Sequence, residues 1–150
     1  QPPQWWVVEK VIKECGRLCQ IYQITLEQEI KVKSKTYEGD EESLQRAILN
    51  LVKNGLEQTL EEKRIILRII ELDEKLVIEI EDFGKGFSEE ALLNGDKQFF
   101  TENKARTGTH YGLGLYMSQE VVKEHQGRLS FWNKEGGQGA IVSIELHMNR

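Results

Sequence analysis

The sequence predicts a two-layer α/β sandwich, with helices on one face of a mixed sheet and one long irregular segment. Three observations carry that reading. Apolar periodicity alternates between helical and strand spacing in the order helix, strand, helix, two strands, irregular segment, helix, two strands. Two neighbouring apolar runs, "RIILRIIE" and "KLVIEIE", are joined by so short a link that they read as a meander. At 150 residues the chain is the size of one domain, residues 1–150, and long enough to bury roughly 70% of its unfolded surface.

Each element has its own justification. Over residues 5–19, Val8, Val11, Ile12, Cys15 and Cys19 recur at helical spacing and predict a first helix with one inward stripe. Ile24, Leu26, Ile30 and Val32 alternate with polar neighbours, as in a half-buried strand. "YEGDEES" reads as a turn that delivers Asp40 as the N-cap of a helix at 41–58, which buries Leu44, Ile48, Leu51 and Val52. Strands follow at 64–71 and 75–81, joined through Asp73 and Glu74. From Phe87 to His110 the period is lost, apart from a short helix at 88–94 between Ser88 and Gly95. Long irregular segments inside compact domains are more often functional than structural. A helix at 114–126 ends at Gly127, and strands at 128–133 and 140–147 flank the turn "KEGGQG". The three tryptophans, Trp5, Trp6 and Trp132, are expected in the core, the alternative being a docking surface.

Composition narrows the function classes. The net charge is −5 and basic residues do not gather on one predicted face, which argues against a nucleic-acid surface. No apolar run approaches the ~20 residues of a membrane helix. The start at "QPPQWW", without an initiator methionine, predicts a piece of a longer protein. Cys15 and Cys19 stand one turn apart on a helix, a spacing suited to buried thiols in a reducing cytoplasm rather than to a disulfide.

Three strings carry chemistry. In "LQRAILNLVKNG", Asn50 and Asn54 are one turn apart on the predicted helix and share a face, where two amides can hold a magnesium ion with its waters and phosphate oxygens. Read alone, the pair is equally compatible with exposed or capping asparagines. In "EDFGKGF", Asp82 follows an apolar strand, where a carboxylate can accept from a base amino group while Gly84 and Gly86 let the backbone come close. In "YGLGLYMSQEVVKEHQG", Gly112 and Gly114 open a helix, whose unpaired N–H groups and dipole form an anion site. No "GK[ST]" follows these glycines, so this is not a P-loop.

In order and spacing these strings resemble the ATP-binding domain of sensor histidine kinases, within the superfamily that includes gyrase, mismatch-repair and chaperone ATPases. The resemblance covers nearly the whole chain: the Asn motif at 44–59, the Asp-x-Gly-x-Gly motif at 82–86, Phe99-Phe100-Thr101, the glycine lid motif at 110–115, and the closing "GGQGAIVSIEL". It implies a Bergerat-type fold with an ATP lid at about 87–111, anchored by Phe99 and Phe100. It implies Asn54 as the Mg²⁺ ligand, with Asn50 beside it in the catalytic position, and Asp82 as the reader of adenine. Lys53, Gly84, Gly86, Phe87, Lys104, Tyr111, Gly112, Leu113, Gly114 and Leu115 complete the implied nucleotide contacts.

Relatives that hydrolyse ATP carry a Glu one turn before the metal Asn, as a general base. This chain has Asn50 there, and an amide takes no proton at neutral pH. The resemblance therefore implies transfer rather than hydrolysis. The γ-phosphate of Mg-ATP would go to a histidine on a separate helical dimerisation domain, with a response regulator downstream. His110, His125 and His147 do not stand in the context of a phosphoacceptor, and His125 reads as structural. The implied location is the cytoplasmic part of a membrane-anchored sensor. The chain departs from the family's usual residues at Glu57, Gln58, His110 and Ala140, the last where a Thr hydroxyl is common. Two other readings stay open: a stand-alone ATPase of the same superfamily, and a nucleotide- or protein-binding module without transfer.

Overall fold

The computed structural model describes residues 2–94 and 111–148. Its elements are β1 (Trp5–Val7), α1 (Val8–Ile21), β2 (Thr25–Lys31), β3 (Thr36–Glu38), α2 (Glu41–Gln58), β4 (Arg64–Leu72), β5 (Lys75–Glu81), α3 (Glu89–Asn94), α4 (Tyr111–Glu124), β6 (Arg128–Asn133) and β7 (Ala140–His147). Five strands form one sheet in the order β2-β4-β5-β7-β6, in which β2 and β4 are parallel and the other pairs antiparallel. The expected mixed sheet is present.

Strand periodicity of two explains the layering. Leu67 pairs with Ile80, Ile69 with Ile78, Ile78 with Ile144 and Leu76 with Leu146, so one face of the sheet is a continuous buried aliphatic layer. The other face mixes aliphatic side chains such as Ile66, Ile70 and Val77 with charged ones, among which Arg68 bonds Glu81 at 2.8 Å and Glu29 at 3.3 Å. Helix α2 lies over the aliphatic layer, touching β4 and β5 and flanked by α1 and α4.

Asp40 caps α2 as expected, its side chain accepting the Glu42 N–H at 3.2 Å. The buried stripe of α2 comprises Leu44, Ala47, Ile48, Leu51, Val52 and Leu56. Two contacts bind α4 to it. The Ser118 hydroxyl donates to the Ala47 carbonyl at 2.9 Å. The Asp40 N–H donates to Nε2 of His125 at 3.1 Å, which leaves Nδ1 protonated to donate to the Val121 carbonyl at 2.8 Å. His125 is thus structural, as expected.

The structure corrects three expectations. Residues 5–7 are a strand rather than the start of a helix, and they pair antiparallel with β3, an element hidden in the predicted turn. Trp6 is wholly buried against Tyr37, whereas Trp5 and Trp132 are 53% and 40% exposed, so only one tryptophan is core. Helix α4 starts at Tyr111 rather than 114, which puts Gly112 and Gly114 within its first turn.

Candidate nucleotide site

Strand β5 ends at Glu81 and delivers Asp82 just beyond the sheet. The Asp82 N–H donates to the Ala140 carbonyl at 2.9 Å. Its Oδ1 accepts two backbone N–H groups, from Gly84 at 3.0 Å and Ala140 at 3.3 Å. Its Oδ2 takes no hydrogen bond among the described residues. Burial pushes the Asp82 carboxyl above the usual carboxylate range, while the Gly84 and Ala140 N–H groups and the Lys134 charge oppose that rise. The result is an almost fully buried acid, rigidly held by one oxygen and free to accept through the other.

Helix α2 packs directly on this acid. A Cβ added at Gly55 would lie 3.4 Å from the Asp82 Cβ and 3.8 Å from Oδ2. One turn along, the Gln58 carbonyl occupies the space beside Gly84, where an added Cβ would stand only 2.1 Å from that oxygen. Asn54 precedes Gly55, is 6% exposed, and its Nδ2 has no hydrogen-bond partner among the described residues. A buried amide donor left unpaired costs about 1–3 kcal/mol. In native proteins such a donor is commonly met by an ordered water, an ion or a ligand.

The structure therefore brings the stretch of α2 that holds Asn54 against Asp82 and Gly84, through Gly55 and Gln58. Gly86 adopts φ +79°, and its neighbour Phe87 is fixed by Asn133, whose side chain accepts the Phe87 N–H at 2.8 Å and donates to its carbonyl at 2.9 Å. The side chains of Phe87 and Leu115 are buried in the core, Phe87 against Phe131 at 4.8 Å. Asn50 is half-buried and lines a shallow groove with Lys10, Glu41, Gln45 and Leu49, while Lys53 is exposed. The backbone of Tyr111, Gly112, Leu113 and Gly114 forms the first turn of α4, whose N–H groups lack intrahelical acceptors. Lys104, Phe99, Phe100 and His110 lie outside the described residues. The cavity beneath β1 and β3, about 290 Å³ and lined by Trp6, Tyr37 and Glu71, shares no residue with this neighbourhood.

Sequence reasoning misses Asn133 and the backbone of Ala140. Ala140 lacks the Thr hydroxyl, yet its N–H and carbonyl both bind Asp82. A side-chain alphabet carries no signal for such a contact, which depends on the pairing of Glu81 with Ile141.

The architecture is a mixed sheet whose crossover helix packs a glycine, next to a buried asparagine, on a strand-end carboxylate. The chain belongs to the histidine kinase-, DNA gyrase B- and HSP90-like ATPase family, whose model matches residues 39–150. Among curated proteins it is similar to the nisin biosynthesis sensor protein NisK of Lactococcus lactis subsp. lactis, 37% identical over 88% of this chain and 30% of the relative. It is also similar to the sensor histidine kinase MtrB of Mycobacterium tuberculosis, 28% identical over 95% of this chain and 25% of the relative. The chain thus spans less than a third of these relatives. Its fold matches the mycobacterial sensor histidine kinase MprB, TM-score 0.79 at 24% identity, covering 99% of both chains. The catalytic domain of histidine kinase ThkA matches as well, TM-score 0.79 at 20% identity, covering 98% and 97%.

Proposed function

We propose that this chain is the catalytic ATP-binding domain, residues 1–150, of a two-component sensor histidine kinase. It binds Mg-ATP and donates the γ-phosphate to a histidine on a separate helical dimerisation domain, and a response regulator receives the signal. The observation that carries this reading is the Asp82 carboxylate, tied through Oδ1 by two N–H groups with Oδ2 left to accept, with Asn54 one residue before the Gly55 that packs on it. The similarity to sensor proteins supports the choice of acceptor and the cytoplasmic side of a membrane-anchored sensor as location. No helix among the described residues is long and apolar enough to cross a membrane.

The roles follow from the residues. Oδ2 of Asp82 accepts from the adenine amine, while Gly84 and Gly86 leave room for the Gln58 carbonyl and the Asn133 side chain, which pack against the loop after Asp82. Asn54 is the residue that would hold Mg²⁺, an ion that takes one or two protein oxygens and keeps its waters. When bound, Mg²⁺ supplies neutralisation of phosphate charge. The first-turn N–H groups of α4 face the phosphates. Asn50 offers no basic group one turn before Asn54, so water is not activated and the phosphoryl group is kept for transfer.

Asn54→Ala and Asn54→Asp, made in the full-length kinase, test the reading. Autophosphorylation is expected to disappear in both while the circular dichroism spectrum is kept. Transfer at the wild-type rate in either variant would refute the assignment.

A further inference from the structure

Phe83 has no part in the nucleotide roles above, yet its ring is heavily engaged. The Arg64 guanidinium carbon lies over the ring, 4.0 Å from its centroid, and the Lys134 Nζ at 3.5 Å. Each cation is itself fixed by carboxylates. Arg64 bonds Glu62 at 2.7 Å and Glu27 at 3.0 Å, and Lys134 bonds Glu81 at 2.9 Å. Arg64 opens β4 and Lys134 follows β6, strands that β5 and β7 separate in the sheet. The ring therefore ties two distant strand ends to the end of β5.

A cation over an aromatic face is held by the ring quadrupole, an interaction that constrains orientation as well as position. The constraint passes straight to Asp82. The peptide plane joining Phe83 to Gly84 carries the Gly84 N–H, and that N–H holds Oδ1 of Asp82 at 3.0 Å. Gly84 has no slack on its other side, where the Gln58 carbonyl fills the space. With the ring fixed, the N–H is aimed; with the N–H aimed, Oδ2 has one direction.

We propose that Phe83, gripped by Arg64 and Lys134, is a positioning residue that aims the Asp82 carboxylate at the exocyclic amine of the base and so sets base selectivity. The proposal rests on the nucleotide reading above. Two readouts on the 150-residue chain separate the two. The first needs no nucleotide: amide hydrogen exchange at Gly84 by NMR. Phe83→Leu, which keeps apolar bulk and removes the π face, should accelerate exchange there about three- to tenfold. Ile78 in the middle of β5 should be unaffected.

The second readout is the ratio of dissociation constants for ATP and purine riboside triphosphate, which lacks the 6-amino group. Wild type should favour ATP, Phe83→Leu should lose most of that preference, and Phe83→Tyr should restore it. A general weakening of the fold would lower both affinities alike and leave the ratio intact. Should Phe83→Leu not fold, Lys134→Gln keeps the ring and must move both readouts in the same direction. Wild-type exchange at Gly84, or an unchanged ratio in a variant whose parent discriminates, overturns the proposal. A wild-type chain indifferent to the 6-amino group overturns the base-reading role of Asp82, and the positioning proposal falls with it even if the exchange result shows the grip to be real.

Discussion

Asp82 is costly to the fold for the same reason that suits it to its role. Burial lifts its folded-state pKa above the ordinary value of 3.8. Between those two values the folded state binds more protons than the unfolded chain, so stability falls as pH rises through that window. Above it the carboxylate is held charged at a standing cost. Asp82→Asn keeps an oxygen for the Gly84 and Ala140 N–H groups and removes that charge. It should raise the melting temperature by about 2–4 °C for each kcal/mol relieved. ATP affinity should fall by about 10- to 150-fold, the worth of a charge-assisted hydrogen bond of about 1.5–3 kcal/mol. Thermal melts and isothermal titration read the two opposed effects, and a variant that melts lower or binds as wild type contradicts the account. Asp82 is legible in the sequence because an acid that follows a strand and precedes two glycines at i+2 and i+4 forms the Asp-x-Gly-x-Gly pattern. Its partners are not legible: Ala140 acts through its backbone, and Phe83 through cations on β4 and beyond β6.

Helix α1 shows how periodicity can be right about a stripe and wrong about an end. Val8, Val11, Cys15 and Cys19 are all buried, as their spacing predicts. Trp5, Trp6 and Val7 continue the same apolar run, but they pair with β3, and no local signal distinguishes that from one more helical turn. Helix α2 is legible at both ends because Asp40 caps it and its stripe stops where Thr59 turns extended. The α1 thiols give a test at this scale. Burial pushes Cys15 up to about 12 and Cys19 up to about 11. At pH 8 both should resist iodoacetamide in the native protein and react in urea, which mass spectrometry resolves. Below the ordinary value of 9.0 neither thiol affects stability; as pH rises from 9.0 toward 11 and 12 the unfolded chain ionises first and stability falls. Rapid native-state alkylation would contradict the burial.

At the scale of the whole molecule, β5 is the middle of five strands, and its Ile78 is paired with both Ile69 and Ile144. Ile78→Ala should cost about 2–5 kcal/mol. In urea titration the midpoint should move with little change of slope, because the exposed area is nearly the same. A loss below about 1 kcal/mol would mean that this layer collapses around the gap. The sandwich and its mixed sheet are legible from the order of periodicities. Which pair runs parallel is not, since that depends on the chain between β2 and β4 crossing back over the sheet, a non-local event without a local pattern.

The holding of Asp82 by Ala140 has a consequence for biosynthesis. Both signature motifs, at residues 54 and 82, leave the ribosome well before the closing strand is made. Until β7 is in place one of the two donors on Oδ1 is missing, and the acid has no fixed aim. Nascent or prematurely terminated polypeptides thus carry the Asn54 and Asp82 motifs without the donor that fixes the acid, so the proposed nucleotide binding waits on the docking of the last strand.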